Sequence, residues 1–92
     1  MSAPTYFSGG YTNLTATANV APVPKTLIGF LVNSTNAGTI QFYDSATTTT
    51  STPITGLITP TAGQFIPVYA ATINGIYAVI GGTALNVTVI AA

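Results

Sequence analysis

The stretch "TALNVTVI", residues 83–90, decides the fold class of this chain, because its apolar and polar side chains alternate. An extended strand points successive side chains to opposite faces, so a period of two gives one dry face and one wet face. The first face would carry Leu85, Val87 and Val89, and the second Asn86, Thr88 and Ile90. The stretch therefore predicts a β-strand that lies on a hydrophobic core.

The same alternation occurs in two earlier segments, "TNLTATANV" at residues 12–20 and "TIQFY" at residues 39–43. In the first, the apolar positions are Leu14, Ala16, Ala18 and Val20, and Asn or Thr stands between them. Each segment predicts one further strand with a buried and a solvated face.

Four other segments predict strands of a different kind. The segments "TLIGFLV" (26–32) and "IYAVI" (76–80) are apolar on both faces, which is typical of central or covered strands. The segments "PITGLI" (53–58) and "GQFIPVY" (63–69) complete the set. Because proline cannot donate a ladder hydrogen bond, Pro67 predicts an edge strand or a bulge.

Turn signals rich in Gly, Pro, Asn and Thr separate these segments, and no window favours a helix. They are "VAPVPK", "NSTNAG", "DSATTTTSTP", "TPTAG", "TING" and "GGT". Asn74-Gly75 suits a tight hairpin, since both residues tolerate positive φ. The pattern predicts an all-β fold: a single antiparallel β-sandwich of jelly-roll type with about seven short strands. Residues 25–92 would form this core, and residues 1–24 an extended N-terminal arm with the first strand.

Charge is almost absent: Lys25 and Asp44 are the only formally charged side chains, and the chain has no Cys and no His. Disulfides and a Cys/His metal site are therefore excluded, and no cofactor is expected. Phosphate binding needs clustered cations, so the composition predicts no nucleic-acid partner and no polybasic membrane-docking patch. A small neutral domain of 92 residues gains stability most simply by association with other proteins.

Two further observations concern the cellular location. The start "MSAPTYFSGG" lacks a basic region and an apolar region, so we expect no signal peptide. The apolar stretch from Phe65 to Ala92 is long enough for a membrane helix, but Pro67, Asn74-Gly75 and Gly81-Gly82 divide it into strand-length pieces. We therefore expect no membrane insertion, and the absence of Cys fits synthesis in a reducing cytoplasm.

The residues that enzymes use for acid–base and nucleophilic chemistry are nearly all missing, and we predict no enzymatic activity and no catalytic, cofactor-binding or metal-binding residues. A Lys25–Asp44 dyad is conceivable. The favoured interpretation places both residues at strand ends, where Asp44 accepts backbone N–H bonds from the turn that follows it. If the strands at 26–32 and 39–43 pair through "NSTNAG", an exposed ion pair between Lys25 and Asp44 becomes possible.

Aromatic and apolar residues outside the predicted core are candidates for a protein interface, where tyrosine and phenylalanine are enriched. They are Tyr6, Phe7, Tyr11, Tyr77 and Val79. The segment around Tyr6 and Phe7 either folds back over its own core or anchors in a neighbouring protein, and the sequence leaves both open. The threonine run at residues 47–50 is interpreted as a solvated loop in preference to an ice-binding or sugar-binding array.

Residues 31–45 ("LVNSTNAGTIQFYDS"), 52–70 ("TPITGLITPTAGQFIPVYA") and 74–90 ("NGIYAVIGGTALNVTVI") together resemble small β-sandwich virion structural proteins of tailed bacteriophages. These often act as capsid decoration (cement) proteins. The resemblance covers roughly Lys25 to Ile90, and it implies a jelly-roll-like domain, commonly a homotrimer.

The same resemblance implies that the protein sits on the capsid surface of the virion, in contact with the major capsid protein and with copies of itself, after synthesis in the host cytoplasm. Two alternatives remain: a self-assembling β-filament or fibre subunit, and a tail-associated virion component.

Overall fold

The computed structural model describes residues 10–92, and within that range the protein is built from strands, turns and loops without a helix. The strands are β1 (Gly10–Leu14), β2 (Ala18–Ala21), β3 (Thr26–Tyr43), β4 (Phe65–Ala71) and β5 (Ile76–Ala91). All of them pair antiparallel in one sheet of order β1-β5-β3-β4, with β2 also beside β5. The predicted all-β, antiparallel class is confirmed. Residues 10–92 contain no helix with the length and apolarity to span a membrane.

Two of the strands are unusually long, and they explain why residues 10–92 form five strands instead of about seven. β3 has 18 residues and continues without a break through "NSTNAG", which was predicted to be a turn. β5 has 16 residues and runs through "GGT" in the same way. The two signals therefore do not reverse the chain.

These turn residues bend the sheet instead. The pairing of β3 with β5 shifts register three times between Val32 and Thr39, which is the signature of β-bulges. Ala37 and Gly82 lie opposite each other in this region with φ of 59° and 74°. A Cβ atom on Gly82 would lie 2.6 Å from the Ala37 carbonyl oxygen, so glycine is required there.

The bends fold the sheet back onto itself until it is nearly closed into a barrel. Phe30 and Phe42 show this directly, because their ring centroids are 5.3 Å apart although both belong to β3. In a straight strand, residues twelve positions apart would be separated by about 40 Å. The structure thus has one curled sheet, and it does not confirm the predicted jelly-roll arrangement.

The core fills the space inside this curl. Its buried apolar residues come from every strand except β4, whose inward side chains Ile66 and Val68 cover one flank. The buried members are Leu14, Ala21, Leu27, Phe30, Val32, Ile40, Phe42, Ile76, Ala78, Leu85, Val87, Val89 and Ala91. All are aliphatic or aromatic, so burial of apolar area is the main source of stability.

The segment "TNLTATANV" forms two strands where one was predicted. Leu14 pairs with Val87 in one half of β5, whereas Ala18 pairs with Ala78 in the other half, beyond the bend. The chain therefore turns between them and leaves Ala16 exposed. The Thr17 hydroxyl fixes this turn, since it accepts a hydrogen bond from the backbone N–H of Ile80 at 2.9 Å and donates one to the Ile80 carbonyl oxygen at 3.2 Å. Within the predicted arm, Gly10–Leu14 and Ala18–Ala21 thus belong to the sheet.

Two other predicted strands differ in how completely they pair with β3. The segment "PITGLI" makes only isolated bridges to β3, Tyr43 with Pro53 and Ile40 with Ile58. The segment around Pro67 forms β4, which pairs with β3 alone among the described strands. The prediction that Pro67 marks an edge strand is therefore confirmed.

Candidate functional site

The carboxylate of Asp44 ties the end of β3 to the connection between β4 and β5. Its Oδ2 atom accepts a hydrogen bond from the backbone N–H of Ile73 at 2.9 Å, and its Oδ1 atom accepts from Asn74 at 2.8 Å and Gly75 at 3.3 Å. The sequence predicted a backbone-binding role for Asp44, but in the turn directly after it. The observed donors lie about thirty positions away in the chain, which periodicity cannot reveal.

Lys25 is attached to the same connection from the opposite end of β3. The Lys25 carbonyl oxygen accepts hydrogen bonds from the backbone N–H of Thr72 at 2.9 Å and from its hydroxyl at 2.7 Å. The two charged residues therefore approach one loop because β3 curls. The predicted hairpin through "NSTNAG", on which an ion pair depended, does not form. Both oxygens of Asp44 are instead engaged by amides, which makes it a poor general base.

The hydrogen bonds to Asp44 give the protein a defined acid sensitivity. Backbone N–H groups of Ile73 and Asn74, helped by Gly75 and opposed by slight desolvation, lower the pKa of Asp44 below its ordinary value of 3.8. A carboxyl group whose pKa is lower in the folded state stabilises the fold fully above its unfolded pKa. That contribution is lost as the pH falls through the lowered pKa.

Asp44→Asn is therefore expected to lower the melting temperature at pH 7, because an amide cannot accept at both positions. As the pH falls below about 4 and then through the lowered pKa of Asp44, the melting temperatures of the wild type and the variant should converge. Since the sequence has no other Asp or Glu, the difference between the two melting curves isolates this side chain. Differential scanning calorimetry from pH 7 to pH 2 measures it. Parallel curves over the whole range would contradict the assignment.

The threonine-rich segment at residues 45–52 is an ordered loop beside Asp44. Ser45 is buried, and its Oγ atom accepts hydrogen bonds from the backbone N–H of Thr47 at 3.0 Å and of Thr49 at 3.1 Å. Asn19 donates its side-chain amide to the carbonyl oxygens of Ser45 and Thr47. An open depression of about 260 Å³ lies over the loop. Its lining includes Asp44, whose carboxylate oxygens are already bonded to backbone amides, and it otherwise offers mainly hydroxyl groups for hydrogen bonding.

Of the predicted interface residues, the three that lie within residues 10–92 are not brought together. Tyr6 and Phe7 lie outside the described residues. Tyr11 is 77% exposed on β1 and pairs with Ile90 near one end of β5. Tyr77 and Val79 are half-buried near the other end of β5, beyond the bend. The Tyr77 ring packs against Tyr43 with the centroids 6.3 Å apart.

A surface that the sequence analysis did not identify lies on the outside of the sheet around Tyr11. It combines exposed apolar side chains of β1, β3 and β4, and we call it the outer patch: Tyr11, Leu31, Phe65, Pro67 and Tyr69. Exposure is 38% for Leu31, 42% for Phe65 and 71% for Tyr69. These values are high for large apolar side chains that lie close together on one face of a sheet.

The register shows that the outer patch is continuous across the sheet. One row runs from Tyr11 through Ile90 and Gly29 to Pro67. Gly29 lets the row lie flat, since a Cβ atom there would be 2.9 Å from Cζ of the Phe65 ring and 2.5 Å from the Ile66 carbonyl oxygen. The neighbouring row places Leu31 against Phe65.

An amide cluster borders the outer patch. Asn13 of β1 and Asn33 of β3 both donate to the Oδ1 atom of Asn86 between them, at 2.8 and 3.0 Å. Asn33 also donates to the Thr88 hydroxyl at 2.9 Å. The surface therefore has an apolar centre and an uncharged polar border, which is the general anatomy of a protein interface.

One signal for the outer patch was present in the sequence. In "GQFIPVY" the alternate positions Phe65, Pro67 and Tyr69 are apolar, and so are Ile66 and Val68 between them. One set must face outward. Leu31 carried no such signal, because its segment is apolar on both faces and its outward direction depends on the register with β4.

Comparison with protein-family models, with curated proteins and with solved structures finds no match to this chain.

Proposed function

We propose that this protein is a non-enzymatic virion structural protein, a capsid decoration protein that stabilises a phage head through many identical protein–protein contacts. The observation that carries the proposal is the outer patch, an exposed apolar face with an uncharged border. The bacteriophage resemblance of residues 25–90 supplies the partners: the major capsid protein and copies of the protein itself, as a homotrimer on the capsid surface.

The surface chemistry supports a role in assembly. Burying a charge without a partner is costly, and both charged residues lie at the β4–β5 connection, outside the rows of the outer patch. The outer patch can therefore be covered at low desolvation cost. Weak contacts of this kind add up when many copies bind one shell.

The proline on β4 favours contact through the face of the sheet over contact through its edge. An unprotected edge strand recruits further strands, which is how β-filaments grow. Pro67 lacks the N–H group that such pairing uses, and Tyr69 follows it with a φ of 54°, which distorts the strand. These features support the decoration role over the filament alternative.

Binding to capsids tests the proposal. Purified protein is sedimented with capsids assembled from the major capsid protein of the same phage genome. The double variant Phe65→Lys, Tyr69→Lys places two charges in the outer patch, and loss of about 2 kcal/mol or more at an interface centre weakens binding about 30-fold. We expect the apparent Kd to rise by at least that factor.

Leu57→Lys is the matched control, because Leu57 is 68% exposed but lies in the loop beside the other half of β3. It should bind as the wild type does. Equal binding by both variants, or wild-type protein that stays in the supernatant, would refute the proposal. Fibres of the isolated protein in electron micrographs would support the filament alternative instead.

A further inference from the structure

The open depression over the threonine-rich loop is a candidate binding site that the proposed function does not use. Its volume of about 260 Å³ suits a single small ring better than a larger compound, for which pockets of about 300–1,000 Å³ are usual. We propose that this depression binds a neutral sugar, one hexose unit held through two neighbouring hydroxyl groups. The inference does not depend on the proposed function.

The charge of the lining selects a neutral, hydroxyl-rich ligand. Asp44 is the only charged side chain of the lining, so an anion such as phosphate would meet a carboxylate without a compensating positive charge. A metal ion is disfavoured as well, because residues 10–92 contain no cluster of three His, Cys, Asp or Glu side chains. Ala46 is the only apolar lining residue, so an apolar compound would gain little by binding.

The Asp44 carboxylate supplies a fixed acceptor. An ionised carboxylate has about four positions that accept hydrogen bonds. The amides of Asn74 and Gly75 take both positions of Oδ1, and the amide of Ile73 takes one position of Oδ2. One position of Oδ2 is left for a ligand hydroxyl, and a hydrogen bond to an ionised oxygen is stronger than one between neutral groups.

The hydroxyl groups of the loop supply a donor. Ser45 Oγ accepts from two backbone N–H groups, so both of its acceptor positions are used and its hydrogen is directed to Thr47 Oγ1 at 3.4 Å. Thr47 in turn lies 3.4 Å from Thr49 Oγ1. The Thr49 hydroxyl ends this series, and its hydrogen can be donated to a ligand. Two adjacent hydroxyls of a hexose, one donating and one accepting, match this pair of groups.

The loop is held in its shape before any ligand binds. The side-chain amide of Asn19 donates to the carbonyl oxygens of Ser45 and Thr47 at 3.1 and 2.9 Å. The backbone N–H of Asp44 donates to the carbonyl oxygen of Thr52 at 2.8 Å, which closes the loop at its other end. A ligand therefore has little of the loop to order, and ordering is one of the main costs of binding.

Threonines at alternate positions of the loop face the depression. Thr47 and Thr49 line it, whereas Thr48 and Thr50 are exposed without lining it. The interpretation of the run as solvated surface thus applies to Thr48 and Thr50, and the other two contribute to the proposed site. The two pairs have the same composition and can be changed separately.

Titration of the full-length wild type with sugars tests the inference by nuclear magnetic resonance. The probes are D-glucose, D-galactose and D-mannose, each raised to about 100 mM. For at least one of them we expect saturable shifts of the backbone amides of Thr47, Thr49 and Asn74, with a Kd of about 1–10 mM. The amides of Leu31 and Asn36, which do not line the depression, should not move.

Cyclohexanol is the matched control ligand, because it has a six-membered ring and a single hydroxyl group. Equal shifts with cyclohexanol, or no saturable shift with any of the three hexoses, would overturn the inference.

The methyl glycosides of the same hexoses distinguish the two sources of such a ring. Equal affinity for the glycoside and the free hexose indicates a hexose unit within a glycan, since the linkage position is then blocked. Binding of the free hexose alone indicates a monosaccharide. Both results support a sugar site.

A pair of variants tests which groups bind. Valine keeps the shape of threonine and lacks its hydroxyl, and the N–H of residue 49 can still bond to Ser45. In Thr49→Val, Thr52→Val, which changes two lining residues, we expect the Kd to rise at least tenfold. In the control variant Thr48→Val, Thr50→Val the Kd should stay within a factor of two. Equal Kd values in both would overturn the inference, and if the first variant does not fold, the titration of the wild type decides.

Discussion

Replacing Phe42 by alanine is expected to lower the free energy of unfolding by about 3–5 kcal/mol, the range found for buried phenylalanine. Phe42 is fully buried and packs against Phe30 where the two halves of the curled sheet meet. The total stability of a small domain is only about 5–15 kcal/mol, so this one change removes a large part of it. Urea denaturation followed by circular dichroism measures the loss.

Phe65→Ala removes the same side chain from the outer patch and serves as the control. Phe65 is 42% exposed and covers Gly29, so we expect a loss of about 1 kcal/mol or less. Similar losses for the two variants would mean that the curled sheet does not enclose Phe42 as described.

Gly75→Ala is expected to have the second largest effect, a loss of about 3 kcal/mol. A Cβ atom on Gly75 would overlap the Ala21 carbonyl oxygen and lie 2.7 Å from that of Ser45 and 3.0 Å from the Ala46 Cα atom. These are backbone atoms of two other segments, so no side-chain rotation relieves the overlap. By the usual scaling for a domain of this size, the melting temperature should fall by more than about 10 °C.

Gly56→Ala is the matched control, because a Cβ atom there would have no neighbour within 4 Å. Its melting temperature should stay within about 4 °C of the wild type. If Gly75→Ala were equally mild, the three segments around Gly75 could not be packed as closely as the structure has them.

Gly75 also illustrates which part of a turn signal can be predicted. Asn74-Gly75 was expected to form a tight hairpin because both residues tolerate positive φ. No hairpin forms there, because β4 and β5 do not pair with each other, and the positive-φ glycines of the described residues are Gly63 and Gly82. Gly75 is required because other backbone segments approach it, and a local pattern contains no information about remote neighbours.

Periodicity predicted the strand class correctly and the strand boundaries poorly. The alternation in "TALNVTVI" is preserved, with Leu85, Val87 and Val89 buried. The same alternation in "TNLTATANV" led to one strand where the chain makes two, because the break depends on which half of β5 each piece joins. The segments "NSTNAG" and "GGT" have the composition of turns. They pair with each other within β3 and β5, and there they bend the sheet.

The candidate site was predictable only where it depended on composition. Near-neutrality directed attention to protein contacts, and Tyr11 was named because it is an aromatic residue outside the predicted core, in a cluster with Tyr6 and Phe7. Leu31 became visible only with the register, since its segment is apolar on both faces. Asp44 was correctly interpreted as a ligand for backbone amides, but its donors come from a distant part of the chain.

The central place of β5 sets the order in which the protein can form. In the described range β1 and β2 pair with β5 alone, and β3 has only β4 as a partner until Ile76–Ala91 exists. A chain emerging from the ribosome therefore carries β1 and β2 unpaired until Ile76–Ala91 has been synthesised. Folding then becomes a late, nearly all-or-none event, slowed by the need to join segments that are far apart in sequence.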